Sequence, residues 1–342
     1  MNEEFGIAEM TDEDWNNKSL GTSLFCSTQW NRLFVESYGL TYQKIVNSEN
    51  EIVAYFCVIE HEFSHKISLL PFCDYVDFER LKSDYVQPVV NLLGNRYPNY
   101  DIILKSTFDK TELPADVKIL HHSIYHRIEL DAGHEVKTKA SFRSKINKAR
   151  KKFDLHSRCN YERTAIADFY EMYKNLRFSK FKSIPQPLSF FLNLWESFIK
   201  NKKGFTLEVL HNNHVIASAI ILEHNNILYY KYSCSDPNSL NMAPNNFLMH
   251  ELTNHAMKNN FQAVDLGSSG LSDEHEGLRK YKESCGGTAY PITFIGVKNH
   301  QNPSPTEKNS NLINTITSTM VDQNLSLKET SALSEIIYPY FA

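Results

Sequence analysis

The 342-residue sequence contains no apolar run approaching the roughly 18–20 residues that a bilayer-crossing helix needs, so a transmembrane helix is excluded. Cysteine is sparse and scattered, at Cys26, Cys57, Cys73, Cys159, Cys234 and Cys285. Six thiols without close pairing make neither a disulfide scaffold nor a zinc ribbon. The opening Met1-Asn2-Glu3-Glu4-Phe5 is acidic, whereas a signal peptide has a basic stretch followed by an apolar one. A reducing cytoplasm is the expected setting. The phosphate loop GxxxxGK[ST] is missing, which removes the P-loop nucleotide hydrolases.

What the chain does have is an ordinary globular composition, 42% hydrophobic and 22% charged, and a length that suggests about two domains at roughly 150 residues each. Its charge is unevenly spread. The net value is −4, from 36 basic and 40 acidic residues, yet residues 137–152 hold eight Lys or Arg and no acid. Without them 28 basic residues face 40 acidic ones, a remainder of −12. One short basic segment on an acidic body favours an anionic partner and speeds its encounter. DNA is not expected, since no helix-turn-helix pattern is present and the overall balance is acidic.

The periodicities predict a mixed α and β protein. A helix is expected over 28–38, stopping at Gly39, and another over 81–93, with strands at 42–46, 52–59, 66–72, 102–104 and 124–130. The basic segment opens a second block. Phe142, Ile146, Ala149 and Phe153 recur at helical spacing and form a narrow apolar stripe. Helices at 164–177 and 188–200 follow, then strands at 205–210, 214–222 and 227–234, joined by turns at His211-Asn212-Asn213 and His224-Asn225-Asn226. A helix from Pro244 to about Asn260, a strand at 263–266, a helix at 276–284 and a strand at 292–297 complete the block. Residues 299–311, rich in Asn, Ser and Pro, read as a linker before a weakly helical tail. The expected division is 1–134, 135–298 and 299–342.

Two motifs are set aside. His61-Glu62-Phe63-Ser64-His65 spells the zincin HExxH, but that chemistry needs both histidines on one helical face, and strand-like residues flank it on both sides. His121, His122 and His126 alternate along a strand, so they do not converge on one ion. No metal is expected. Cys285 reads as a small buried thiol. No Ser-His-Asp or Cys-His set can be assigned to a covalent mechanism.

The informative stretch is 227–287. An aromatic strand through Tyr229, Tyr230 and Tyr232 leads to Ser233-Cys234-Ser235-Asp236, then to a helix opening at Ala243-Pro244-Asn245-Asn246. Val264-Asp265-Leu266-Gly267-Ser268-Ser269 and Arg279-Lys280-Tyr281-Lys282 follow. Strand, loop, helix N-terminus and strand in this order form a natural anion site. Alternation places Tyr230 and Tyr232 on one strand face. Asn245 and Asn246 are expected to cap the helix.

These residues, in this order, resemble the C-terminal half of FemAB-type acyltransferases within the wider GNAT-like superfamily. The run from Phe142 to Phe153 is similar to the R-x-x-I-x-K-A helix that opens their second domain, and Phe25 to Trp30 and Leu69-Leu70-Pro71-Phe72 are similar to their first domain. The resemblance covers roughly residues 20–297. It implies an α+β fold of two tandem GNAT-like domains, each a mixed sheet flanked by helices. It further implies transfer of an acetyl or aminoacyl group, from acyl-CoA or aminoacyl-tRNA, to the amine of an amino-sugar, polysaccharide or cell-wall precursor. Such an acceptor is a small molecule or is nucleotide-linked.

Lys282 matches the family's late lysine, for an oxyanion or a phosphate, with a surface lysine as the alternative. Asp236 is a candidate for the acceptor's proton, or a turn residue before Pro237. Tyr232 is a candidate catalytic residue, Tyr230 and Tyr232 are candidates for the lining of the acceptor pocket, and Arg177 is a candidate for a diphosphate or a complement to its helix C-terminus. Asn245, Asn246 and Ser268 are assigned to donor or substrate binding, as are Lys148 and Arg150 of the basic helix. The sequence Asn241-Met242-Ala243-Pro244-Asn245-Asn246 lacks the Gly-rich, Arg-containing loop of acetyl-CoA-using members, and no coiled-coil insertion lies between 153 and 205. A catalytically silent binding module on the same fold is the second reading.

Overall fold

The computed structural model describes residues 4–16, 20–61, 64–130, 136–298, 315–319, 321 and 325–338. It divides into two compact units: Met1–Ile124 with Pro291–Ile316 and Glu335–Ala342, and Tyr125–Tyr290 with Thr317–Ser334. The expected linker at 299–311 lies outside the described residues.

In chain order the first unit carries β1 (Gly6–Glu9), α1 (Asp12–Asn16), α2 (Thr28–Tyr38), β2 (Tyr42–Val46), β3 (Ile52–His61), β4 (Ser64–Leu69), α3 (Ser83–Arg96) and β5 (Asp101–Ser106). The helix α2 has the predicted bounds. Ser27 Oγ accepts from Trp30 N at its start, and Gly39 closes it at φ 65°, a left-handed conformation that glycine adopts without a Cβ penalty. β1, β2, β3 and β4 pair antiparallel, and β4 pairs parallel with β5. β3 and β4 stay in register through His61 and Ser64, so His61 and His65 stand on two strands. Glu62 and Phe63 lie outside the described residues.

The strand β6 (Ile119–Glu129) gives Tyr125–Glu129 to the second unit. There follow α4 (Ala140–Phe153), β7 (His156–Asn160), α5 (Arg163–Phe181), α6 (Leu188–Leu194) running into a π-helical turn (Trp195–Ile199), β8 (Gly204–His211), β9 (His214–His224), β10 (Ile227–Ser235), α7 (Pro244–Lys258), β11 (Ala263–Ser269) and α8 (Glu276–Ser284). The strand β12 (Thr288–Val297) ends in the first unit, where Thr293–Val297 pair antiparallel with β5. The tail forms α9 (Leu327–Ile337).

In the second unit β7, β8, β9 and β10 pair antiparallel in sequence, and β10 pairs parallel with β11. The hairpin turns fall at the predicted asparagines. Asn212, Asn213, Asn225 and Asn226 all have positive φ, the requirement of two-residue hairpin loops that asparagine tolerates best among non-glycine residues. One face of this sheet is covered by α4 and α7. Phe142, Ile146 and Ala149 of α4 are buried there with Phe247, Leu248 and Leu252 of α7 and with Val209, Ala219, Leu228 and Leu266 of the sheet. Each of the larger side chains, Val, Leu, Ile or Phe, contributes roughly 1.5–3 kcal/mol through burial. Phe169, Tyr170, Tyr173, Phe190 and Phe191 of α5 and α6 form an aromatic cluster with Tyr232 of β10.

Candidate functional site

The parallel pair β10–β11 is short. Ile227, Leu228 and Tyr229 pair with Ala263, Val264 and Asp265, yet β10 continues to Ser235 and β11 to Ser269. Each strand departs from regular geometry just beyond the last pair. On β10, Tyr230 pairs with Ile221 of β9 and Tyr232 with Ile220, so Lys231 is an extra residue in a β-bulge. A bulge bends its strand and increases the local twist. On β11, Gly267 has φ 71°, and the buried Asp265 carboxylate accepts from Gly267 N at 2.8 Å. Asp265 also pairs with Arg127 of β6 at 3.6 Å. The two strands therefore part, and a crevice opens between their C-terminal halves.

The bulge corrects the expected strand faces. Leu228 and Tyr230 face the core formed with α4 and α7. Tyr232 has crossed to the other face, with its ring 5.1 Å from Phe191, 6.0 Å from Phe190 and 6.2 Å from Tyr173. Tyr230 and Tyr232 thus stand on opposite faces, because one added residue inverts the alternation.

The start of α7 also differs from expectation. Neither Asn245 nor Asn246 caps it. The N-cap is Ala243, left-handed at φ 58°, and no side chain supplies a capping hydrogen bond. Pro244 has no N–H, so the N–H groups of Asn245 and Asn246 are the outward donors of the first turn. The Asn245 side chain instead donates to Ser235 Oγ at 3.1 Å, fastening the helix to the end of β10. With the helix dipole behind them, two such donors form an anion-binding terminus.

The helix α8 ties the crevice together. Tyr281 OH donates to the Asn245 carbonyl at 2.9 Å. Lys282 is buried, and its Nζ donates to the carbonyls of Gly267 and Ser268 at 2.8 Å each. Lys282 is thus neither a surface lysine nor an ammonium aimed openly into the crevice: it clamps the end of β11, with Ser268 serving through its carbonyl. Cys285 is buried, donates to the Lys282 carbonyl and has its thiol pushed up to about 12 by burial, which accords with the inert-thiol reading. Burial likewise pushes the Tyr230 hydroxyl up to about 12, against a lowering hydrogen bond from Ser233. Tyr281 is raised well above the usual phenol range by burial and by Tyr230 beside it. Both phenols keep their protons at neutral pH.

The remaining candidates have neighbours within the fold. The Asp236 carboxylate accepts from Asn238 N at 3.0 Å and Ser239 Oγ at 2.7 Å, the turn role weighed for it from sequence. Arg150 pairs with Glu251 of α7 at 2.9 Å and lies over Phe247. Lys148 lies over Phe153. Arg177 lies 5.2 Å over Phe181. Among the described residues no group of three or more His, Cys, Asp or Glu is placed to hold a metal ion, and no helix is long and apolar enough to cross a membrane.

Several contributors had no signal in the sequence. Arg127, Tyr281 and Ser235 act through partners ten or more residues away. His126 of β6 is fully buried, and neither ring nitrogen has a hydrogen-bond partner among the described residues. Burial and, after it, the positive Lys282 lower its pKa to about 4.

Two outcomes follow. His126 is harder to protonate folded than unfolded, so its contribution to stability is complete above about pH 6.5 and is lost as the pH falls towards 4. Melting temperatures from pH 7 to 4 should fall less steeply in His126→Phe than in the unaltered chain. Lys282→Met removes the donor from two carbonyls. It should cost about 2–6 kcal/mol in urea unfolding, at roughly 1–3 kcal/mol for each of the two acceptors left unpaired. A loss below about 0.5 kcal/mol, the usual size for a surface substitution, would contradict the clamp.

Residues 137–283 match the family model described as Acetyltransferase (GNAT) domain. Among solved structures, FemX aligns with 90% of this chain and 100% of its own, at 11% identity and a TM-score of 0.61. L-PGS from Bacillus licheniformis aligns over 89% of this chain and 98% of its own, at 12% identity and a TM-score of 0.57. The C-terminal domain (DUF2156) of a putative lysylphosphatidylglycerol synthetase from Agrobacterium fabrum covers 82% of this chain and 91% of its own, at 11% identity and a TM-score of 0.57. No curated protein matches the sequence. At such identities the structural likeness is one of fold, and it extends over nearly the whole chain. The second half of the chain thus carries a GNAT acetyltransferase domain match, and nearly the whole chain has an α+β fold similar to that of FemX.

Proposed function

We propose that the chain transfers an acyl group to an amine by direct attack in the crevice between β10 and β11, without a covalent enzyme intermediate. The parting of the two strands beside the uncapped start of α7 carries this reading. A donor whose phosphates rest on the Asn245 and Asn246 N–H groups has its acyl carbon in reach of the opening. The basic helix α4 packs against α7 and against the turn that precedes it, which adds positive field on the same side. This suits either phosphate-rich donor, acyl-CoA or aminoacyl-tRNA.

As the amine attacks, the carbonyl oxygen gains negative charge, and fixed donors around it are usually the largest catalytic contribution. The amine's proton must leave and the departing thiolate or ribose oxygen must gain one. Tyr230 holds its proton at neutral pH and borders the side of the sheet on which α7 lies. It is the candidate acid for the leaving group. No side chain is assigned as base: the amine attacks in its neutral form, and the proton its nitrogen then sheds passes to solvent water.

Amino-sugar and cell-wall precursor amines remain the proposed acceptors, and the names of the lysylphosphatidylglycerol synthetase relatives support including aminoacyl groups among those transferred. The second reading, a silent binding module, is favoured by the start of α7, where Asn241–Asn246 include neither Gly nor Arg.

The test is a transfer assay with acetyl-CoA, longer acyl-CoA and charged tRNA against glucosamine and nucleotide-linked amino-sugars, read by mass spectrometry of the amine. Transfer should occur with one donor class, and Tyr230→Phe should slow it about 10²–10⁴-fold, the range for general acid catalysis. A folded protein that binds a donor yet acylates no amine supports the module instead.

A further inference from the structure

The helix α6 begins without a cap of its own. Its N-cap is Pro187, whose ring offers no acceptor. The missing acceptor comes from the far end of the chain: Ser331 Oγ in α9 accepts from Leu188 N at 3.2 Å. The tail helix is built to dock there. Ser326 and Glu329 form a reciprocal pair at its start, with Ser326 N donating to Glu329 Oε2 at 2.9 Å and Glu329 N to Ser326 Oγ at 3.3 Å. That is the S-x-x-E box which fixes a helix N-terminus. Thr330 and Ser334, on the same side of the helix, are fully buried. Such small residues let a helix approach closely.

The capped turn is the one that carries Phe190 and Phe191, whose rings lie against Tyr232 at 6.0 and 5.1 Å. Tyr232 is the first residue after the bulge, in the part of β10 that has left β11. A single physical path therefore joins the C-terminal helix to the opened strand, through a hydrogen bond and two ring contacts.

We propose that Ser331 is a positioning residue: the tail helix caps α6 and so fixes the aromatic wall of Phe190, Phe191 and Tyr232 beside the opened half of β10. The proposal rests on the acyl-transfer reading for its consequence, because this wall stands on the sheet face opposite α7, where an amine acceptor rather than the donor's phosphates would lie.

The test uses the full chain with Ser331→Ala, and with Ser331→Thr and Ser331→Asn as variants that restore an acceptor. Amide exchange at Leu188 should rise roughly five- to tenfold in Ser331→Ala, the scale of a lost cap, and return in the other two. The Tyr232 ring resonances should shift in Ser331→Ala, while those of Tyr230 stay in place. With acetyl-CoA and glucosamine as probes, the glucosamine KM should rise several-fold and the acetyl-CoA KM should hold. Unchanged exchange at Leu188 would overturn the proposal. So would faster exchange with an unmoved Tyr232, or equal changes in both KM values. An unaltered chain that transfers nothing would count against the acyltransferase reading, and the exchange and ring signals would still decide the cap.

Discussion

Two neighbouring parallel strands are hydrogen-bonded for three residue pairs and then are not. The extra residue at Lys231 in one strand and the left-handed Gly267 in the other turn them apart, and the opening exposes backbone that a continuous sheet would consume. An unpaired backbone group in the interior costs about as much as a lost hydrogen bond, so such a gap must be braced. The rest of the second unit is arranged around that requirement. Asp265 holds the bend in β11, Lys282 binds the carbonyls at its end, and Asn245 and Tyr281 fasten the start of α7.

This bracing changes how the polar residues are read. Lys282, Asp236 and Arg150 have the side chains expected of catalysis, but each is bound to a partner that it supports. What is left facing the crevice is mostly backbone: the N–H groups at the start of α7, and the region of the bulge. Acyl transfer by direct attack suits such a site, since it calls for fixed dipoles more than for a nucleophile. Under the proposed function Tyr230, protonated at neutral pH, is the side chain that delivers a proton there.

Much of the fold was legible because its causes are local. Gly39 ends α2, the Asn-Asn pairs make the hairpin turns, and the stripe from Phe142 to Ala149 buries one face of α4 as its spacing requires. The edge strands β1 and β7 were not legible. His156-Ser157-Arg158-Cys159-Asn160 has no apolar alternation, and it is extended because β8 pairs with it. At the site, the segments were found but not the geometry. A bulge has no composition of its own here, so the tyrosine faces were inverted. The capping preference of asparagine lost to a left-handed Ala243 and to the Ser235 hydroxyl ten residues back. The Ser331 cap joins positions 143 residues apart, a separation at which no pattern along the chain could show it.

The central claim is that the uncapped start of α7 receives the phosphates of the donor. Amide shifts of isotope-labelled protein titrated with acetyl-CoA, and separately with charged tRNA, address it most directly. The Asn245 and Asn246 N–H signals should move first and furthest with one of these donors, and signals of β7 at the sheet edge should not move. Saturable binding that leaves both amides in place would contradict it.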